Sequence, residues 1–196
     1  MNKKFYIGDM HIFHENVLTF DHRPFFNMQD MIDSMITYWQ NTVRNDDEVY
    51  VLGDMFWKST NAVDICRQLP GKKYLLHGNH DKVSPELARQ FAGNYDTLYI
   101  KDGKHNVFLC HYPVAHWRNA DYGAVHLYAH IHEGRDSRPF VEYVRMMRQR
   151  DLPYEAYNVG CMLPYMGYTP RTLDEIIVGG NAYYQQIWND MKSKEV

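Results

Sequence analysis

Short apolar runs and helical stripes alternate along this chain. Phe5-Tyr6-Ile7-Gly8, residues 48–52 and residues 72–77 are compact runs rich in Val, Leu, Ile and Tyr, the pattern of buried strands. Between the first two, Met28, Met31, Ile32, Met35, Ile36 and Trp39 recur at helical spacing to about Val43, with Asn27 placed to cap the start. This stripe is read as a core face. A second helix spans 61–69 and stops at Pro70-Gly71, and a third starts at Ser84-Pro85 and runs to 92. The pattern then changes. Residues 95–100 and 106–110 around Asp102-Gly103 predict an antiparallel hairpin. Strands follow at 125–129 and 157–160. Thr172 and Glu175 form a capping box at the head of a short helix, and a last helix or tail covers 181–193. No internal repeat, low-complexity tract or linker interrupts the 196 residues, so one α/β domain is expected.

The segment 133–152 stands out as an insertion. Arg135, Arg138, Arg145, Arg148 and Arg150 alternate there with Phe140, Tyr143, Met146 and Met147. Such a helix could cover substrate phosphates, or it could be a solvated helix packed through its apolar face.

Composition narrows the setting. The net charge of -3 does not announce a nucleic-acid binder. No apolar run approaches the ~20 residues that span a bilayer, and Met1-Asn2-Lys3-Lys4 leads straight into a strand without a signal-peptide pattern. Cys66, Cys110 and Cys161 are widely spaced, with no CxxC, so neither disulfides nor a thiolate zinc site is expected. A cytoplasmic protein with no membrane or protein partner fits these features.

The chemistry collects at strand exits, where open α/β sheets bind ligands. Asp9 and His11 follow the first strand, Asp54 the second, and Gly78-Asn79-His80-Asp81 the third. His111 follows the hairpin, and His130 and His132 the strand after it. Carboxylates and imidazoles crowded on one rim repel and desolvate one another unless cations hold them. Oxygen and imidazole donors without thiolate suit Mn, Fe, Zn, Co or Ni. The donors are too many for one tetrahedral ion and suit two ions ~3.5–4 Å apart sharing a carboxylate.

The series Asp9-x-His11, Gly53-Asp54, Gly78-Asn79-His80-Asp81, His111 and His130-x-His132 resembles the calcineurin-like metallophosphoesterases, with further support from Asn158-Val159-Gly160. Within that superfamily it is most similar to small bacterial and phage phosphoesterases with a block like His14-Glu15-Asn16 and Arg23-Pro24-Phe25. The resemblance implies a two-sheet β-sandwich flanked by α-helices, in four α/β/β/α layers, and two divalent transition-metal ions, manganese foremost. It implies that Asp9, His11 and His132 hold one ion, that Asn79, His111 and His130 hold the other, and that Asp54 bridges. His80 would face the scissile phosphate as acid or charge stabiliser, with Asp81 orienting its ring. Hydroxide held between the ions would attack phosphorus. His14, Asn16, Arg23 and Arg118 are candidate substrate contacts.

Two departures from the family pattern matter. Ala129 stands where the family has glycine before its His-x-His pair; alanine is small and is expected to be tolerated there, with strain only if the backbone angle is one suited to glycine alone. Met55-Phe56-Trp57 follows Asp54 where the protein serine/threonine phosphatases carry Asp-Arg-Gly, which disfavours that branch. The expected activity is hydrolysis of phosphodiesters of nucleotides or nucleic-acid ends. A phosphomonoesterase or pyrophosphohydrolase of a small metabolite is the alternative enzyme, and a non-catalytic scaffold the alternative of another class.

Overall fold

The computed structural model describes residues 2–57, 61–134, 137–150 and 152–192. Two four-stranded sheets form its centre. The first comprises β1 (Lys4–Ile7), β2 (Glu48–Val51), β3 (Lys72–Leu76) and β4 (Gly93–Tyr95), in that order and all parallel. The last three residues of β1 and β2 are all buried, so neither strand has a polar face, as expected where a parallel sheet is covered on both sides.

The second sheet comprises β5 (Thr97–Asp102), β6 (His105–Cys110), β7 (Val125–Tyr128) and β8 (Glu155–Asn158). β5 and β6 are the expected hairpin, closed at Asp102 and His105 by Gly103-Lys104. The β6–β7 and β7–β8 pairs are parallel. The sheets meet where β1 and β8 end. Gly8 bridges Gly160, and the Gly8 N–H donates to the Val159 carbonyl at 2.8 Å.

Helices flank both sheets. α1 (Val17–Phe20) is a single turn in the loop after β1, and α2 (Met28–Thr42) buries the Met, Ile and Trp39 stripe. The Asn27 side chain accepts the Asp30 N–H at 2.9 Å, the cap expected from the sequence. α3 (Ala62–Gln68) and the short α4 (Pro85–Ala88) complete that half.

α5 (Arg138–Arg148) and α6 (Leu173–Lys192) cover the second sheet. α5 occupies the apparent insertion and takes the packing role: Val141 and Val144 are buried, and Phe140 meets Tyr128 edge-on. Its Arg148 guanidinium donates to the Tyr154 carbonyl, Asn181 and Glu155, and lies over Tyr157 and Tyr184. That cation is committed inside the protein rather than offered to a phosphate. Arg135, counted in the same basic set, lies outside the described residues.

α6 corrects the expectation of two separate pieces. It runs unbroken through Gly179-Gly180, which lie between the two expected pieces. A Cβ at Gly179 would stand 2.5 Å from the Tyr165 Cβ, and one at Gly180 2.5 Å from Cδ1 of Tyr157. The helix lies too close to these tyrosines for any side chain, so packing overrides glycine's weak helix propensity. The hairpin is corrected too. Tyr95 belongs to the first sheet and only Thr97 onward to the second, so one residue, Asp96, separates them.

Candidate metal centre

Every strand exit singled out above opens on one end of the sheets. Two groups of three side chains gather there, with ligand atoms within 4.8 Å of one another: Asp9, His11 and His132, and Asp54, His111 and His130. The Asn79 Oδ1 lies 3.2 Å from His111 Nε2 and so joins the second group. Asp54 Oδ2 sits between the groups, 3.7 Å from His11 Nε2 and 3.5 Å from His111 Nε2.

The backbone works to aim these side chains. Asp9, His11, Asp54, His130 and His132 all have positive φ, between 41° and 72°. Such angles are uncommon outside glycine and are held where surrounding structure fixes them. Ala129 has no positive φ, so alanine is tolerated at this position as expected. The glycine lies across from it instead. A Cβ on Gly8 would meet the Ala129 Cβ at 2.7 Å, so β1 and the end of β7 have room for one methyl group between them.

Hydrogen bonds set which ring nitrogens face inward. His111 Nδ1 donates to the Leu52 carbonyl at 2.7 Å, which turns Nε2 toward Asp54. His132 Nδ1 donates to Asp21 Oδ1 at 2.8 Å, which leaves its Nε2 facing His11. A histidine ligand that gives its outer N–H to a carboxylate is typical of metal sites.

Asp21 was not singled out in the sequence. It sits in the loop before Arg23 with nothing in its spacing to mark it, and only the fold brings it to His132. Asn158 holds the same region, accepting the Gly160 N–H and donating to the His132 carbonyl. The Asn158-Val159-Gly160 block was the signal available for it.

Three expected roles change. Arg23 is buried, not a substrate contact. Its guanidinium donates to the Asp9 and Met10 carbonyls at 2.8 Å and to Asp21, clamping the loop that carries Asp9. Asp81 does not orient the His80 ring. Its carboxylate accepts the N–H groups of Asp54, Met55 and Gly78 at 2.8–3.0 Å, which ties the β2 exit to the β3 exit. Arg118 lies over the Tyr99 ring, 5.2 Å from its centroid, and does not line the cleft.

His14 does line the cleft, stacked on Trp57 at 4.0 Å. Asn16 sits at the head of α1 with an exposed side chain that makes no cap bond. The His80 N–H donates to Asp54 Oδ1 at 2.8 Å, while its ring belongs to neither ligand group and lies 4.6 Å from Trp57 on the cleft wall.

The electrostatics show groups fitted to cations. Burial pushes the Asp9 carboxyl up to about 6, although His132 and His111 oppose it. Its side chain is wholly buried and accepts only the His130 N–H among the described residues. Burial also acts to raise Asp54, but the hydrogen bond and charge of His111 outweigh it and hold that carboxyl low. Burial and the neighbouring His132 drive His11 down. Buried carboxylates facing imidazole nitrogens, with no thiolate, are a donor set that could hold metal ions in both groups. The centre opens into a cleft of about 280 Å³ walled by His11, His14, Phe20, His80, His130 and His132.

Comparison with known proteins gives the family. The sequence profile of the calcineurin-like phosphoesterases matches residues 5–160. An uncharacterised protein of Methanocaldococcus jannaschii is 27% identical over 180 residues, 90% of each chain. The Gene 66 protein of Mycobacterium phage L5 is 26% identical over 167 residues, 67% of this chain and 78% of its own. Among solved structures, a protein of unknown function from Aquifex aeolicus superposes with a TM-score of 0.68 at 23% identity. The match covers 90% of this chain and 98% of that one, and the likeness is one of fold.

Proposed function

We propose that this protein, which belongs to the calcineurin-like phosphoesterase family, hydrolyses phosphodiesters of nucleotides or nucleic-acid ends with two divalent metal ions, manganese foremost. The observation that carries this reading is the position of Asp54, whose Oδ2 lies within 3.7 Å of an imidazole nitrogen in each ligand group. Asp9, His11 and His132 would hold one ion, Asn79, His111 and His130 the other, and Asp54 both. When bound, such ions acidify water into a nucleophile at neutral pH and neutralise charge on phosphoryl oxygens.

The chain's own groups do the rest. The Arg23 clamp and the three hydrogen bonds to Asp81 fix the loops, so the donors need little rearrangement. The His80 imidazole faces the cleft outside both groups, placed to give a proton to the leaving oxygen. A diester is favoured over a monoester by the cleft wall. No arginine or lysine lines it among the described residues, and Glu133 does, so a dianionic monoester finds little extra positive charge there.

The test compares the metal-loaded protein on bis(4-nitrophenyl) phosphate and 4-nitrophenyl phosphate, with Asp54→Asn alongside. The diester should turn over at least as fast as the monoester. Asp54→Asn should lose activity and bound metal, counted by elemental analysis, while the fold remains. Wild-type protein that takes up no transition metal would sink the reading, and a strong monoester preference would turn it to the monoesterase alternative.

A further inference from the structure

Two aromatic side chains stand at the mouth of the centre, one beside each ligand group. Phe20, the last residue of α1, is 53% exposed and lies 5.9 Å from the His132 ring. Tyr112 follows His111, is 44% exposed, and lies 4.6 Å from the His130 ring. The interplanar angles of Phe20 to His132 and His14 are 41° and 59°, and those of Tyr112 to His111 and His130 are 77° and 62°. In none of these pairs does a parallel protein ring cover a face of Phe20 or Tyr112. Trp57 differs, being stacked face to face on His14 at 17°. An exposed aromatic face beside a site for phosphate esters is one on which a nucleobase can stack.

A phosphomonoester has one organic group and could use one such ring. A diester has one on each side of phosphorus. Resting on the diesterase reading above, we propose that Phe20 and Tyr112 are stacking sites for the two bases that flank the scissile phosphate, so that the substrate is an oligonucleotide strand with a base on either side of the bond cut. Stacking is indifferent to base identity because every base has a π-face, and it suits an unpaired strand. The weakly negative net charge of -3 agrees with a short strand held locally rather than a long duplex held by its phosphates.

The experiment uses metal-loaded wild type, Phe20→Ser, Tyr112→Ser and a control, Tyr122→Ser. Tyr122 is 88% exposed but lies before β7, at the far end from His130. Three substrates are compared: thymidylyl-thymidine, thymidine 3′-methyl phosphate and thymidine 5′-methyl phosphate. Affinity for a fluorescein-labelled phosphorothioate thymidine decamer, which resists hydrolysis, is measured by anisotropy. Stacking of one base is worth roughly a 5- to 100-fold change in affinity.

Phe20→Ser and Tyr112→Ser should each weaken decamer binding, and raise KM for the dinucleotide, by about that factor. Each should also be silent on the methyl ester that lacks the base its ring holds, and on opposite esters. Tyr122→Ser should match wild type throughout. Equal losses on all three substrates, or decamer binding unchanged in both variants, would overturn the proposal. Wild-type protein that cleaves no diester yet binds the decamer through both rings would refute the diesterase reading and leave the stacking sites standing.

Discussion

The Nε2 atoms of His11 and His132 face each other across 3.1 Å. His132 has its proton on Nδ1, given to Asp21, and the Nδ1 of His11 is buried without a partner. Two ring nitrogens this close need a proton or a cation between them. Asp21→Asn removes the charge behind His132 and lowers its basicity. Metal affinity at the Asp9, His11 and His132 group should fall ~10–100-fold, read by competition with a chelator. Unchanged affinity would mean that Asp21 serves only as the partner of Arg23.

His80 is assigned the proton for the leaving group, and that help depends on the group that leaves. Nitrophenolate departs unaided, whereas a ribose or alkyl oxygen does not. His80→Ala should keep both metals and lose ~10²–10⁴-fold in kcat/KM on a nucleoside ester, but far less on a nitrophenyl ester. Equal losses on both esters would make His80 a charge stabiliser, and a lost metal would place it among the ligands.

Gly8 and Ala129 share one methyl's worth of space. Gly8→Ala should destabilise the protein by about 1–3 kcal/mol in urea unfolding, as overpacked sites do. Adding Ala129→Gly should return much of that loss, since it removes the atom in the way. The pair forms a double-mutant cycle, and additive effects would show that the Leu52 carbonyl, 3.3 Å from the added Cβ, is the real obstacle.

His126 predicts a pH dependence apart from the metal site. It is fully buried, donates from Nδ1 to the Phe108 carbonyl, and accepts the Val114 N–H on Nε2. Burial pushes its pKa down from the usual 6.5 to about 4. Between those values the unfolded chain takes up a proton that the folded one refuses, so stability falls as the solution is acidified. The loss amounts to on the order of 3 kcal/mol once the pH passes below 4. His126→Gln keeps a donor and an acceptor but does not titrate. In urea unfolding from pH 7 to 4, wild type should lose about that much more than the variant, while other titrating groups cancel in the difference. Coincident slopes would refute it.

The strand exits were legible because a buried parallel strand leaves a plain apolar run and the polar residues after it cannot be core. The α2 stripe and the Thr172–Glu175 cap were legible for the same local reason. What escaped depended on distance in the chain. Asp21 meets His132 across 111 residues, and Arg23 reaches the Asp9 carbonyl that nothing in its own segment reveals. The continuity of α6 through Gly179-Gly180 escaped because helix propensity is local, whereas the tyrosines that demand glycine there come from 157 and 165. The change of sheet at Asp96 left no trace because the residues from Tyr95 to Ile100 read as one strand.

Five of the candidate ligands hold backbone angles that glycine would adopt freely. Selection at these positions therefore sets durability against chemistry. A glycine at Asp9 or His132 relaxes the chain and empties the centre, while an alanine empties it and keeps the strain. Lineages that give up catalysis but keep the fold should drift toward glycine at these five positions, and a designer seeking a tougher inert scaffold would start there.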